Sequence, residues 1–232
     1  MNEKIKNGIK LLVILLIFFG IGVIAAEIFE RIGINPSDFS STQLAITNVV
    51  LASIITLFCI LLYFKDLKTD WLLFKEKLRE NLWTSFKLFG AFMAIKVGAS
   101  ILTVIISLAL GLDFLQSENQ ELIESFAISA PIAVFISAVV LAPFLEEIIF
   151  RLGFKKVINN KWLYILISGL IFGLMHIFPT DIDLALALTQ SIVFVAMGLA
   201  LGAMYWKRPN IWIVIIVHGL NNLLSMLVIF LL

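Results

Sequence analysis

Long apolar runs alternate with short polar gaps along almost the whole chain of 232 residues. A helix needs about 20 mostly apolar residues to cross a bilayer, and most of these runs approach or exceed that length. The pattern predicts seven such helices, at residues 11–26, 44–64, 88–112, 127–150, 162–178, 184–206 and 211–232. We therefore predict an all-α fold, a polytopic membrane helical bundle of about seven transmembrane helices.

The composition excludes a water-soluble globular protein. The chain is 61% hydrophobic and only 14% charged, whereas an ordinary soluble domain is roughly 45–50% apolar and about 25% charged. The formal net charge is +1, and no basic cluster is flanked by aromatic side chains, so nucleic acid is not expected as a partner. The only cysteine, Cys59, lies inside an apolar run, which excludes a disulfide framework and a thiolate metal site.

Basic residues occur in alternate gaps between the predicted helices. There are three Lys or Arg residues before the first helix, five in the segment Lys65–Arg79, four in Arg151–Lys161 and two at Lys207-Arg208. The other gaps between the predicted helices contain only one basic residue, Arg31. Cytoplasmic loops carry such an excess, so we predict an integral protein of the cell membrane with a cytoplasmic N-terminus. The first apolar run is interpreted as an uncleaved helix, because its 16 residues exceed a usual signal-peptide core.

We predict a single integral membrane domain over residues 1–232. Its motif-bearing core is placed at 127–232, and the first three helices are peripheral. The segment 65–87 is also peripheral and mixes charged residues with Trp and Leu, which is typical of an amphipathic helix on the cytoplasmic surface. Two GxxxG pairs lie in the fifth and sixth predicted helices, Gly169/Gly173 and Gly198/Gly202. Such pairs allow a neighbouring helix to approach closely.

A few ionisable and amide side chains fall inside the predicted helices or, for Arg151, at a helix end. Each of the charged ones costs on the order of 3 kcal/mol in lipid unless it finds a partner or water, so each is a functional hypothesis. The set comprises Lys96, Glu146, Glu147, Arg151, His176, His218, Asn221 and Asn222. For Lys96 alone we favour a structural interpretation, either snorkelling or a buried ion pair.

Helical spacing distinguishes the two adjacent glutamates. Glu147 and Arg151 are four residues apart on a helix and can pair directly, whereas Glu146 is rotated by about 100° onto another face. Glu146 is therefore the carboxylate without a local partner and the candidate general base. A purely structural pair of acids held by Arg151 at a hydrated helix end is the alternative.

The two histidines can reach the same region as Glu146. In an antiparallel hairpin that turns near residue 160, Glu146 and His176 lie opposite each other. His218 and Asn222 are four residues apart, so both project from one face of the last helix. Interhelical hydrogen bonding is the alternative role for these side chains. The depths along the helices predict an interior cavity in the cytoplasmic half of the bilayer.

Three short motifs in this region resemble the ordered motifs EExxxR, FxxxH and HxxxN/D of the CPBP intramembrane proteases. That family includes CAAX-processing endopeptidases and bacteriocin-processing or immunity proteins. The matching sequences are E-E-I-I-F-R at 146–151, F-G-L-M-H at 172–176 and H-G-L-N-N at 218–222. The resemblance covers roughly residues 143–224 and uses both histidines of the chain, while the first three helices carry no recognisable motif.

The resemblance implies hydrolysis of a peptide bond in a membrane-associated or prenylated, CAAX-like protein or peptide. It assigns catalysis to Glu146, His176, His218 and Asn222, and support to Glu147, Arg151 and Phe172. The first two catalytic residues would position and deprotonate a water, and the other two would donate hydrogen bonds to the oxyanion. Phe172 would pack against the imidazole one turn later or close the cavity.

A zinc site is the alternative to a metal-free mechanism. Glu146, His176 and His218 form a His₂Glu set that could bind Zn²⁺ with one position open for water, and the family has often been described as metalloproteases on that ground. However, the sequence lacks HExxH, and Glu147 is the only obvious carboxylate that could support the histidines. We therefore expect a glutamate-dependent mechanism without a cofactor.

Other functions stay open at this point. A catalytically silent membrane protein of the same family could serve bacteriocin immunity, scaffolding or sensing, although such a protein has no need of costly ionisable groups. A transporter is disfavoured because there is no inverted repeat. Gly98-Ala99-Ser100 only faintly resembles a serine protease motif, and no Asp falls inside a predicted helix, which excludes an aspartyl protease.

Overall fold

A computed structural model of the protein describes residues 2–112, 118–177 and 183–231. These residues form long helices in the order α1 Glu3–Arg31, α2 Ser41–Glu76, α3 Leu78–Leu110, α4 Glu118–Ser129, α5 Pro131–Val157, α6 Lys161–Leu174, α7 Leu184–Lys207 and α8 Ile211–Leu231. No strand forms within the described ranges. The predicted all-α, polytopic bundle is confirmed.

Six of the helices in the described part of the chain are long and apolar enough to cross a membrane: α1, α2, α3, α5, α7 and α8. The run predicted at 162–178 corresponds to α6, which has 14 residues. At 1.5 Å per residue such a helix is about 21 Å long, which is less than the ~30 Å hydrocarbon core. The count of seven is therefore not confirmed, and the orientation of the N-terminus stays a prediction.

The segment 65–87 is helical but does not form a helix of its own. Its first part extends α2, which bends at Tyr63, and its second part begins α3 after the non-helical residue Lys77. The extension of α2 packs against the turn between α7 and α8, where the Asp70 carboxylate accepts a hydrogen bond from the Ile211 N–H at 2.8 Å. This tertiary contact explains why the chain forms a corner between two long helices instead of a separate surface helix.

Helices α6 and α7 pack closely because glycines lie at their contact. A Cβ atom at Gly173 would lie 2.5 Å from the backbone N and Cα of Val195. A Cβ atom at Gly198 would lie 2.5 Å from the carbonyl oxygen of Gly169. The predicted close approach at the GxxxG pairs is confirmed. The glycines of α6 contact α7, and those of α7 contact α6.

Helix α5 is irregular and central. It contains two π-helical turns, Ile136–Leu141 and Ile148–Gly153, on either side of the adjacent glutamates. Such widened turns occur frequently at functional sites. Every residue from 145 to 154 is buried, so this stretch of the helix has neighbours on all sides. The first motif therefore lies inside the bundle.

Candidate active site

Glu146, His176 and His218 meet between α5, the end of α6 and α8. The Oε2 atom of Glu146 lies 3.9 Å from His176 Nε2 and 4.0 Å from His218 Nε2. These separations exceed hydrogen-bond distance. Glu146 Oε2 is buried and has no hydrogen-bond partner among the described residues. The three groups therefore surround a position from which one small polar molecule can reach all of them, and the predicted convergence is confirmed.

The His176 imidazole is fixed by its immediate neighbours. It lies just beyond the last residue of α6, and its Nδ1 is 2.8 Å from the carbonyl oxygen of Phe172. Because a carbonyl only accepts, Nδ1 carries the hydrogen and Nε2 faces Glu146. The ring contacts Phe172, with centroids 4.9 Å apart, and stacks on Phe194 at 4.8 Å. The expected packing of Phe172 against the imidazole is thus present, whereas Phe194 was not predicted.

Glu147 joins His218 to Arg151. Its Oε2 accepts a hydrogen bond from Arg151 Nε at 2.9 Å, and its Oε1 lies 2.9 Å from His218 Nδ1. Both members of the ion pair are fully buried. The guanidinium also lies 4.7 Å from the ring centroid of Phe172, a cation–π contact. Because the ion-paired carboxylate accepts, His218 Nδ1 donates and its Nε2 faces Glu146.

The Asn222 side chain binds a backbone carbonyl that α5 leaves free. Its Nδ2 donates to Ala138 O at 2.8 Å. In an α-helix that carbonyl would bond to the N–H of Ala142, and in a π-helix to the N–H of residue 143. Ala142 instead bonds to Ser137 O, and Pro143 has no N–H. The proline and the π-helical turn thus create the acceptor that holds Asn222.

Lys96 reaches the same region from α3. Its Nζ donates to Asn221 Oδ1 at 2.9 Å, and Asn221 Nδ2 donates to Asn222 Oδ1 at 2.9 Å. The ion pair suggested for Lys96 is not found, because no carboxylate of the described residues lies within 4.0 Å of Nζ. Asn221 follows His218 by three residues, a spacing that signals a shared helix side. No local pattern pointed to Lys96 as its partner.

These side chains line one cavity of about 580 Å³. Its polar wall comprises Asn48, Lys96, Ser137, Glu146, His176, His218, Asn221, Asn222 and Ser225. The remaining wall is largely apolar and includes Phe18, Phe126, Val134, Phe194 and Met226. A mostly apolar cavity with a few convergent polar groups is typical of ligand sites of this size.

The separations between the three side chains can be compared with those around a bound zinc ion. Two ligands of a tetrahedral zinc ion lie roughly 3.3 Å apart, because Zn–N and Zn–O bonds are about 2.0–2.1 Å long. The separations from Glu146 to the two imidazoles are 3.9 and 4.0 Å. In the described ranges no three His, Cys, Asp or Glu side chains are arranged to hold a metal ion. A water with hydrogen bonds of about 2.8 Å spans such distances without rearrangement.

The C-terminal part of the chain, residues 128–224, matches the family model described as "Type II CAAX prenyl endopeptidase Rce1-like". This match agrees with the resemblance that the three motifs carry. All three motifs lie within the matched residues, as do Glu146, His176 and His218. The Rce1-like segment begins near the start of α5 and ends within α8.

Three relatives resemble parts of the chain. The UPF0177 protein YvdC of Lactococcus lactis subsp. lactis is 33% identical over 114 residues, which is 48% of this chain and 41% of that protein. The protein named "Putative membrane peptidase YdiL" of Bacillus subtilis is 32% identical over 110 residues, 46% of this chain and 41% of that protein. An uncharacterized protein of Mycoplasma capricolum subsp. capricolum is 26% identical over 187 residues, 76% of this chain and 55% of that protein. The chain thus spans less than half the length of the first two relatives. No solved structure matches it significantly.

Proposed function

We propose that this protein is an intramembrane endopeptidase that hydrolyses a peptide bond of a membrane-associated or prenylated, CAAX-like protein or peptide. One observation carries the proposal: Glu146 Oε2, which has no hydrogen-bond partner in the described part of the chain, lies 3.9 and 4.0 Å from the Nε2 atoms of His176 and His218. A buried carboxylate oxygen without a hydrogen bond is costly and calls for a functional explanation. The family description and the peptidase name of the Bacillus subtilis relative favour the same reaction.

The hydrogen bonds of His176 indicate how a water would be activated. With Nδ1 donating to Phe172, the neutral ring offers the lone pair of Nε2, and Glu146 offers a second acceptor. A water between them donates one hydrogen to each and directs its oxygen at the substrate carbonyl. Glu146 takes the proton as the new C–O bond forms and returns it to the amine as the C–N bond breaks.

His218 and Asn222 are placed to stabilise the oxyanion. Because His218 Nδ1 donates to Glu147, its Nε2 can donate only when the ring is an imidazolium. The Asn222 amide has a second hydrogen beyond the one that binds the α5 carbonyl. A donor to a developing oxyanion contributes about 3 kcal/mol of transition-state stabilisation.

We place the reaction in the cell membrane, with the cavity in its cytoplasmic half. Glu146 lies nearer the Val157 end of α5 than the Pro131 end, and His218 lies nearer the Ile211 end of α8. Both of these ends adjoin turns that carry basic residues, which are typical of the cytoplasmic side.

Two substitutions test the proposal. We expect Glu146→Gln and His176→Ala each to lower cleavage by about a hundredfold or more, because each removes a group that positions or deprotonates the water. Glu30→Gln, an exposed acid at the end of α1, is the matched control and should behave like the wild type. The membrane peptides of cells that carry each variant are compared by mass spectrometry. Thermal unfolding of the purified proteins checks that each variant is folded.

The same purified protein tests the metal-free mechanism. Its activity should persist after exhaustive chelation; loss of activity that zinc restores would contradict this part of the proposal. An unchanged peptide pattern in both Glu146→Gln and His176→Ala cells would instead support the alternative of a catalytically silent protein for immunity, scaffolding or sensing.

A further inference from the structure

We propose that Lys96 binds a carboxylate of the substrate and so selects peptides that carry one close to the scissile bond. The inference rests on the proposed function, because it assigns part of the substrate specificity of the same cavity. It concerns a residue of α3, outside the segment that matches the family model.

The position of the Lys96 ammonium is the first observation. Lys96 lies within α3, a helix long enough to cross the membrane, and its Nζ reaches across to Asn221 on α8. It lines the same cavity as Glu146 and His218. A snorkelling lysine would extend along its own helix toward the interface. The side chain instead presents its charge to the interior.

The charge balance of the cavity is the second observation. Glu147 is paired with Arg151, Glu146 lies between two imidazoles, and no carboxylate of the described residues is within 4.0 Å of Lys96 Nζ. An ammonium group has three donors, and the hydrogen bond to Asn221 uses one of them. A cation inside a membrane helix is costly unless an anion or water meets it. A substrate carboxylate supplies the counter-ion and accepts the remaining hydrogen bonds.

The hydrogen-bond chain around Asn221 is the third observation. Asn221 Oδ1 accepts from Lys96, Asn221 Nδ2 donates to Asn222, and Asn222 donates to the free carbonyl of Ala138. The ammonium is therefore held by the same network that orients the proposed oxyanion donor. A substrate would be positioned at both points by one rigid set of amides.

The spacing along α8 limits where the carboxylate can lie. Asn221 follows His218 by three residues, which is about 4.5 Å along the helix axis. An extended peptide advances about 3.3 Å per residue. A carboxylate on Lys96 is therefore within a few residues of the bond next to His218. That carboxylate is either the C-terminus of the peptide or an Asp or Glu side chain.

Binding of defined peptide pools tests the inference without turnover. The experiment uses the Glu146→Gln variant, purified in detergent micelles. The probes are N-terminally lipidated peptides whose last six positions are randomised. One pool has a free C-terminal carboxylate and lacks Asp and Glu, a second is identical but ends in an amide, and a third is amidated and contains one Glu. We expect the first or the third pool to bind about tenfold more tightly than the second, the advantage expected of a charge-assisted hydrogen bond.

Three variants at Lys96 separate charge from structure. Lys96→Met removes both the charge and the donor to Asn221, Lys96→Gln keeps a donor without the charge, and Lys96→Arg keeps the charge. We expect the carboxylate advantage to vanish in the Met and Gln variants and to persist in the Arg variant. Thermal unfolding checks each protein, and the Gln variant carries the test if the Met variant does not fold.

The outcomes distinguish the inference from the proposed function. Equal binding of the three pools, or an advantage that survives Lys96→Gln, overturns the role of Lys96. An advantage of the first pool identifies the peptide C-terminus as the ligand, and an advantage of the third identifies an acidic side chain. If the preferred pool binds through Lys96 but protein with the native Glu146 never cleaves it, the proposed function fails while the carboxylate site stands.

Discussion

At the scale of single residues, the two adjacent glutamates have separate roles because a helix turns by about 100° per residue. Glu147 faces Arg151 and His218 and makes hydrogen bonds of 2.9 Å to both. Glu146 faces the cavity and makes none with the described residues. One carboxylate therefore fixes the geometry of the site, and the other stays available to a water.

Removing the charge of Glu147 should lower both stability and activity. Glu147→Gln leaves the fully buried Arg151 without a counter-ion, and breaking such a pair costs about 3–5 kcal/mol. The His218 Nδ1 also loses its carboxylate acceptor. We expect a lower unfolding temperature in detergent, together with a cleavage rate roughly 10- to 100-fold below the wild type, the range found for carboxylates that support histidines in metal sites.

The double variant Glu147→Gln/Arg151→Met separates the two effects. An apolar side chain of similar length often replaces a buried ion pair at little cost in stability, so most of the unfolding temperature should return. The cleavage rate should stay low, because His218 still lacks a carboxylate. If the rate recovered together with the unfolding temperature, the role of Glu147 in orienting His218 would be wrong.

Sequence spacing predicted the residue contacts that lie within one helix and fewer of those between helices. The pair of Glu147 and Arg151 followed from a separation of four residues. The hydrogen bond from Lys96 to Asn221 spans 125 residues, and no local pattern encodes it. Phe194 lies in a continuous apolar run, where one aromatic side chain resembles any other. The motifs predicted which ionisable groups meet in the cavity because hydrolysis requires those residue types, whereas packing partners are less constrained.

At the scale of helices, the glycine contact between α6 and α7 sets the position of two site residues. Gly173 is three residues before His176, and a Cβ at Gly198 would also lie 2.9 Å from the Phe172 ring. The distance between the two helices therefore determines how far the imidazole and the phenyl ring extend into the site.

Gly173→Ala should separate these helices and disturb His176. Its Cβ would lie 2.5 Å from the backbone of Val195, a clash that only a helix shift can relieve. Overpacking of this kind costs about 1–3 kcal/mol. We expect a lower unfolding temperature and slower cleavage. The matched control is Gly90→Ala on α3, where nothing lies within 4 Å of the added atom; similar losses in both variants would contradict the packing argument.

The apolar runs predicted the presence of the helices better than their ends. Helix α2 continues to Glu76 because Asp70 binds the start of α8, a contact that hydropathy does not encode. The first π-helical turn of α5 leaves the Ala138 carbonyl to Asn222 of α8, a contact that hydropathy also does not encode. Helix α6 has only 14 residues, although the apolar run around it is longer.

At the scale of the whole molecule, the basic residues predict which ends of the helices face the cytoplasm. The turn between α5 and α6 carries Lys155, Lys156 and Lys161, whereas the connection between α1 and α2 has no basic residue beyond Arg31. If the bias sets the orientation, these two connections lie on opposite sides of the membrane.

Single-cysteine labelling checks this orientation. The native Cys59 is fully buried and should react little. Asn159→Cys places an exposed thiol between α5 and α6, and Ser37→Cys places one between α1 and α2. A membrane-impermeant maleimide should label Ser37→Cys in intact cells and Asn159→Cys only after permeabilisation. The reverse pattern would show that the N-terminus is outside.

Under the proposed function, the enclosure of α5 governs how a substrate arrives. Residues 145 to 154 are buried inside the bundle, so a protein that diffuses in the bilayer cannot reach Glu146 from the outer surface of the helices. The substrate chain has to pass between the outer helices to reach the cavity. A segment that enters as a regular helix has its backbone carbonyls already hydrogen-bonded within the helix. Under the proposed function, a substrate is therefore selected as it enters, before cleavage, and a chain with an unwound or frayed end is favoured.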